Sequence, residues 1–414
     1  YDKIMKDDEG YLIGDQELFN RIYVKNKSDG CLIGQLVNKL GFKNIKFKIE
    51  SIQHVKEIMK KLKDFDPKEL EVKYDIIGTI YELHLKSGTS NAMRDLGQYY
   101  TNRQVIEYMI NLCDPQMDKK GNIESILDPT MGTGGFLTMA IKYLNNKYKH
   151  KINWTKNKNN IIGFDIDDNV RNMALLNILL ETGELCTKTL VKNDTIYNDL
   201  KMDDDSILQK AKIILANEPM GLKNIAYESC CDRIKNLKIK GTKAEPLFLQ
   251  LFCELLDDGG RCAVIVPDGV LFNESSLHSE TRKYIIENFN LKKIVALDGD
   301  FFLNTGVKTS IMFFVNDGTK TEDVEFSIIK LINNNIEEKS IITVKYDEIK
   351  KNKYSLFVNK YHIHDAEKLN GVKYLKIEEV CNFLKKSKRQ ASYGTENGKF
   401  NFYVSGEKNK KCDE

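Results

Sequence analysis

The chain has 414 residues, long enough for two or three domains and a large core. With 63 basic against 60 acidic residues its formal net charge is only +3, so charge alone does not mark a nucleic-acid binder. Nine cysteines, an odd number with no Cys-x-x-Cys pair, read as free thiols in a reducing compartment and exclude a zinc-ribbon or disulfide scaffold. No stretch is long and apolar enough to span a membrane, and no signal peptide is present, so a cytoplasmic, intracellular location is expected. The opening Tyr-Asp-Lys-Ile has no initiator Met and reads as an excised fragment.

Residues 1–95 read as a helical domain. Apolar residues fall at helical spacing over Ile52–Leu62 and more strongly over Tyr74–Leu85. A Ser/Gly/Asn/Thr loop, Lys86–Arg94, closes this part.

From Leu96 the pattern becomes strand–helix alternation. Helices are expected at Val105–Leu112, Phe136–Leu144, Val170–Leu180 and Pro246–Leu256, the last broken by Asp257-Asp258-Gly259-Gly260. Strands are expected at Ser125–Leu127, Ile161–Ile166, Ile213–Ala216, Arg261–Val266, Lys293–Leu297 and Ser310–Val315. Such alternation over residues 96–320 predicts an α/β domain with a mostly parallel sheet. Residues 321–371 read as trailing strands and a connector, with a charged, exposed segment at Lys345–Lys353. A new unit opens near Val372 and runs to residue 414.

Four strand ends carry the chemistry. The first is Ile126-Leu127-Asp128-Pro129-Thr130-Met131-Gly132-Thr133-Gly134-Gly135-Phe136-Leu137, a buried strand, an acid, a Gly turn and a helix. Such a turn brings backbone N–H groups and a helix N-terminus to a ligand. It lacks the glycine spacing of a dinucleotide site and the Gly-Lys-Ser/Thr of a phosphate loop. Asp128 at the strand end repels a polyphosphate and favours a zwitterion whose amino group needs a carboxylate. The plain alternative is a ligand-free connection. The second is Asp165, about 35 residues on, at a spacing comparable to a ribose contact. Asp167, Asp168 and Asn169 suffice to cap the next helix, which leaves Asp165 spare. The third, Asn193-Asp194-Thr195, suits recognition of an adenine amino group, or ordinary turn chemistry. The fourth, Asn217-Glu218-Pro219-Met220, places an amide at the end of a core strand, or simply ends that strand.

In this order the four sites resemble the S-adenosylmethionine-dependent DNA adenine-N6 methyltransferases, specifically the modification subunits of type I restriction–modification systems. The likeness covers most of residues 70–315. Leu96-Gly97-Gln98-Tyr99-Tyr100-Thr101-Asn102-Arg103 is similar to the family's Gly-Gln-Phe-Tyr-Thr-Pro-Arg segment. Asp128–Phe136 differs from the usual Asp-Pro-Thr-Cys-Gly-Thr-Gly-Gly-Phe only at Met131. Gly259-Gly260-Arg261, Val266–Phe272 and Gly306–Ser310 match later signatures.

The resemblance implies a Rossmann-like catalytic domain flanked by a helical N-terminal domain and a partial recognition unit. It implies S-adenosylmethionine as cofactor, held by Tyr100, Thr101, Asp128, Thr133, Gly134, Gly135, Asp165, Ile166, Asp194 and Thr195. In that scheme Asp128 takes the methionine amino group, Asp165 the ribose, Asp194 the cofactor adenine, and Thr101 touches the methionine end. Asn217 accepts from the amine of the target adenine, with Glu218, Pro219 and Met220 completing the catalytic loop and no metal. Where the family has Asn-Pro-Pro-Phe/Tyr, the present motif lacks the first proline and the aromatic ring. Met220 is a poorer stacking face for a flipped base, and Glu218 is expected to add a negative charge near a polyanion.

Lys376–Val380 through Gly398–Tyr403 resembles the start of a type I DNA-specificity domain. The implied partners are double-stranded DNA and a second methyltransferase, specificity or restriction endonuclease subunit, with no membrane. A catalytically silent DNA-binding or assembly subunit is the second reading, and methylation of RNA or a protein amide the third. Tyr361-His362-Ile363-His364 has no third ligand for a metal, Cys230-Cys231 reads as packing, and Lys385–Arg389 as a solvated face able to touch phosphate.

Overall fold

A computed structural model describes residues 57, 101–222, 224–298, 301, 307–332, 335–361, 375, 377–382, 393–402 and 410–413. The expected N-terminal helices, the His362/His364 pair and Lys385–Arg389 lie outside the described residues. The chain divides into two compact units, Tyr1–His362 and Ile363–Glu414.

The first unit is an α/β domain around a nine-stranded sheet of order β3-β2-β1-β4-β5-β7-β6-β8-β9. Its elements are α1 (Arg103–Cys113), β1 (Ile126–Asp128), α2 (Gly135–Lys147), α3 (Trp154–Asn157), β2 (Ile161–Asp165), α4 (Asp168–Thr182), β3 (Leu190–Lys192) and β4 (Ala211–Asn217). They continue with α5 (Asp232–Lys235), α6 (Ala244–Leu255), β5 (Leu256–Pro267), α7 (Asp268–Phe272), α8 (Ser276–Asn288), β6 (Asn290–Asp298), β7 (Thr309–Val315), β8 (Asp323–Ile332), β9 (Asn335–Lys345) and α9 (Tyr346–Lys351). Strands β3, β2, β1, β4 and β5 are parallel, and β7 runs antiparallel between β5 and β6.

Alternation along the strands divides the core in two. Ile126, Ile161, Ile213, Leu215, Ala263 and Ile265 face α1, α2 and α4. Leu127, Ile162, Phe164, Ile214, Ala216 and Val264 face α6 and α8. A strand buried on both faces needs apolar residues at consecutive positions, which is why β1 and β4 read as short unbroken apolar runs. Helix α4 begins where the Asp167 carboxylate accepts from Asn169 N–H at 2.8 Å, and ends at Gly183. Asn102 caps α1 in the same way, on Gln104 N–H.

Three features differ from the sequence reading. Asp257–Gly260 does not separate helix from strand: α6 ends at Leu255 and β5 starts at Leu256. Leu256 and Arg261 pair with Ala211 and Ile213 of β4, so the four residues between them bulge, and Gly259 and Gly260 bond Asn316 just past the end of β7. Helix α8 was not anticipated. The segments read as trailing strands, β8 and β9, complete the sheet, β8 pairing in parallel with β6.

The second unit contains a short helix, α10 (Ile377–Val380), and an antiparallel pair, β10 (Phe400–Phe402) with β11 (Lys410–Cys412). Tyr393 packs on Phe402 with ring centroids 5.9 Å apart.

Candidate active site

In the strand order the chain reverses direction of growth between β1 and β4, and the carboxyl ends of these two strands open a crevice there. Asp128 ends β1 and Asn217 ends β4.

The turn after Asp128 is held from several sides. Thr130 N–H donates to Asp128 Oδ1 at 3.0 Å, Met131 N–H to Phe164 O at 2.9 Å, and Gly132 N–H to Asp165 Oδ2 at 3.0 Å. Asn177, buried on α4, donates to Thr133 O at 2.9 Å, and Thr195 Oγ1 donates to Pro129 O at 2.7 Å. Gly134 has φ +79°, and a Cβ there would sit 3.0 Å from Ala174 Cβ, so glycine is what lets α4 close on the turn. A Cβ on Gly135 would overlap Arg103 of α1.

Asp128 is fully buried. Its Oδ2 has no hydrogen-bond partner. Burial, with Asp165 nearby as a lesser cause, raises its pKa from 3.8 to about 8. A buried carboxyl with one orphaned oxygen is a receptor for a cationic donor.

Asp165 is not spare. Its Oδ1 accepts from Asp167 N–H at 2.8 Å while Oδ2 takes Gly132 N–H, so it ties β2 to the Gly turn. Burial raises its pKa too, against those two N–H donors. Each oxygen keeps a second lone pair for a hydroxyl. Ile166 beside it is 50% exposed, an apolar platform at the same strand end. Asp194 Oδ1 accepts from Ile196 and Tyr197 N–H at 3.0 and 3.2 Å, so its side chain organises the loop after β3. Thr195 is buried and serves the β1 turn. Tyr100 lies outside the described residues.

At the end of β4, Asn217 Nδ2 donates to Thr101 Oγ1 at 3.0 Å. Its Oδ1 is buried without a partner. Thr130 Oγ1 donates to Asn217 O at 3.3 Å and so links the two strand ends. Glu218 corrects the expectation of an added surface charge. It is 1% exposed, both carboxyl oxygens are buried and unpartnered, and desolvation with Glu245 nearby pushes its pKa well up. The side chain is buried in the core, where desolvation favours the neutral form. Met220 is half-buried and packs on the α1–α2–α4 side of the core, and Pro219 is half-buried.

Four residues matter that the sequence reading gives no role. Thr130 joins the strand ends, Asn177 anchors the turn, Arg103 underlies Gly135, and Glu245 holds the loop after β4 by accepting from Gly221 N–H at 2.8 Å. Asn177 carried a signal: a polar residue on the apolar stripe of α4, between Ala174 and Ile178. Among the described residues no cluster of three or more His, Cys, Asp or Glu is arranged for a metal, all eight described cysteines are free, and no helix is long and apolar enough to cross a membrane.

Five parallel strands followed by an antiparallel β7 inserted between β5 and β6 give the Rossmann-like α/β fold of S-adenosylmethionine-dependent methyltransferases, with an acid and an amide at its switch point. A chain from a type I restriction–modification system shares the fold at TM-score 0.58 and 20% identity, over 91% of the present chain and 83% of that one. Residues 72–341 match the N-6 DNA methylase family, and the chain belongs to it. It is 31% identical over 274 residues to the Escherichia coli type I restriction enzyme EcoEI methylase subunit, covering 66% of this chain and 52% of that protein. It is 30% identical over 249 residues to the EcoKI methylase subunit of Escherichia coli strain K12, covering 58% and 44% respectively. The chain spans about half the length of the curated relatives it matches.

Proposed function

We propose that the protein transfers a methyl group from S-adenosylmethionine to the N6 amine of adenine in double-stranded DNA. One observation carries this reading: two orphaned buried acceptors, Asp128 Oδ2 and Asn217 Oδ1, stand at adjacent strand ends and are bridged by Thr130.

The residues fit the cofactor. Asp128 offers an acceptor for an ammonium group, Asp165 keeps lone pairs for ribose hydroxyls, Ile166 offers an apolar face, and Asp194 stands at the next strand end. Thr101, Thr133, Gly134 and Gly135 line the methionine side. S-adenosylmethionine, when bound, supplies a methyl already activated on a positively charged sulfur. The protein then has mainly to position the acceptor.

Asn217 does that positioning. Its NH2 is committed to Thr101, so Oδ1 is oriented as an acceptor. An adenine amine that donates to Oδ1 and to the backbone carbonyl of residue 218 has its lone pair turned out of those contacts. Base flipping brings the amine into a pocket in this way. Thr130 holds the Asn217 carbonyl, and Glu245 holds the loop at Gly221. Glu218 is buried in the core rather than presented to DNA, and burial favours its neutral form, which removes the ground for expecting a repelled DNA backbone.

The relatives are named as subunits of type I restriction enzymes, which supports the further proposal that specificity and nuclease subunits are partners. That residues 372–414 begin a recognition domain rests on their sequence resemblance alone. The test is tritiated methyl transfer onto unmethylated duplex DNA, followed by sequencing of modified adenines. Label on adenine that disappears in Asn217→Ala supports the proposal. Absence of saturable S-adenosylmethionine binding refutes it.

A further inference from the structure

The segment that follows β5 packs on a cation that the methyltransferase reading does not use. Arg282 on α8 is 1% exposed, the largest fully buried side chain among the described residues. Its Nε donates to Tyr354 O at 2.7 Å, and its Nη1 to Val270 O at 2.8 Å and Asn273 O at 3.0 Å. Three of its five N–H donors are thus spent on neutral carbonyls, and both Nη2 donors are left over. No described carboxylate forms an ion pair with it. A buried charge normally has a counter-ion, because desolvating it alone is costly.

Arg282 lines a cavity of about 50 Å³ together with Glu274, Ser279, Lys353 and Lys360. That space equals roughly three or four water positions, the size of a tetrahedral oxyanion. Lys353 and Lys360 reach in from the rim, and both share the single Glu274 carboxylate, at 4.0 and 3.5 Å. The walls carry three cations against one acid. The loop that presents them is strained: Lys353 and Tyr354, neither glycine, both have φ +55°. That conformation aims Tyr354 O at Arg282 and leaves Lys353 at the mouth.

We propose that this cavity is a binding site for one phosphate-type oxyanion, held by the Arg282 Nη2 donors, the Ser279 hydroxyl and the Lys353 and Lys360 ammonium groups. A guanidinium N–H left free in a cavity edged by two ammonium groups suits an oxyanion acceptor. The occupant is either a free phosphate or a phosphate of a DNA backbone, and the site does not depend on the methyl-transfer reading.

The experiment leaves Arg282 in place, because its carbonyl bonds hold α7, α8 and the loop after α9 together. Inorganic phosphate is titrated against thermal unfolding at constant ionic strength, with chloride as control. The expected result is a saturable rise in Tm with phosphate only. In Ser279→Asp, which puts a fixed carboxylate in the cavity, and in Lys353→Ala/Lys360→Ala, the phosphate Kd rises about tenfold or more. The DNA arm reads the slope of log Kd against log salt. A slope reduced by about one in the double variant, with inorganic phosphate competing, assigns the site to a DNA phosphate. An unchanged slope with intact phosphate binding assigns it to the free ion. No saturable phosphate effect, or the same effect in Ser279→Asp, overturns the proposal.

Discussion

Replacing Asp128 by Asn separates the burial of this carboxyl from its role as a receptor. In the unfolded chain Asp128 titrates near 3.8, and in the folded chain near 8. Between those values the folded protein holds a proton that the unfolded chain has released. Wild-type stability therefore falls as pH rises through this window, by at most about 1.4 kcal/mol per pH unit for one group. Asn has the same shape and no titration. The stability of Asp128→Asn relative to wild type should thus climb by about 2.5 kcal/mol from pH 5 to pH 7 and level off above pH 8. Urea unfolding at each pH measures the difference directly. Binding supplies the second arm. A cationic ligand group favours the carboxylate, so at pH 6.5 S-adenosylmethionine should displace up to about one proton from wild type, seen as a binding enthalpy that depends on the buffer. The variant should lose that proton release and bind about 10- to 100-fold more weakly, the loss expected of one charge-assisted hydrogen bond. A stability difference that does not change with pH would refute the reasoning about burial. Unchanged affinity would refute the receptor role.

Asn217→Ala should cut methyl transfer about 10²-fold or more while changing S-adenosylmethionine affinity only a few-fold, which single-turnover rates and calorimetry distinguish. Glu218→Gln should raise Tm at pH 8 relative to wild type, with the gain shrinking toward pH 5. The wild-type acid is stable in the core only while protonated, and that stability is lost as pH rises. Methyl transfer should survive this change, and its loss would give Glu218 a part in the chemistry. Met220→Phe should strengthen capture of a flipped base by about 1–3 kcal/mol, read as a fluorescence rise from 2-aminopurine at the target position.

The parts of the fold that carry the site were legible because their physics is local. A two-faced buried strand must be apolar at consecutive positions, and a strand-to-helix turn this tight needs glycine, so β1, α2 and β4 stand out in the chain. Helix α8 did not stand out, because its buried side includes His278, Thr281 and Arg282, which erase the apolar period. The bulge at Asp257–Gly260 looked like a break because its Gly pair serves a strand pairing about 55 residues away with Asn316. Side-chain direction was the least legible property. Glu218 reads as a charge beside DNA and lies in the core. Asp165 reads as unengaged and is bonded by two backbone amides from different loops. Both outcomes depend on neighbours distant in sequence, Glu245 for one and Gly132 for the other.

Met131 stands at the one position where the Gly-turn motif departs from the usual family sequence. Its N–H bonds Phe164 O across to β2, and its thioether lies where a Cβ on Gly163 would otherwise be. The long side chain fills the space that the glycine leaves open. The two positions form one packing unit. Shortening residue 131 to Cys opens a void over β2, and a side chain at 163 meets the Met thioether and, behind it, Leu137 and Leu190 at 3.0 and 3.2 Å. The volume missing at one position is supplied at the other, so neither residue's size can be read apart from its neighbour's.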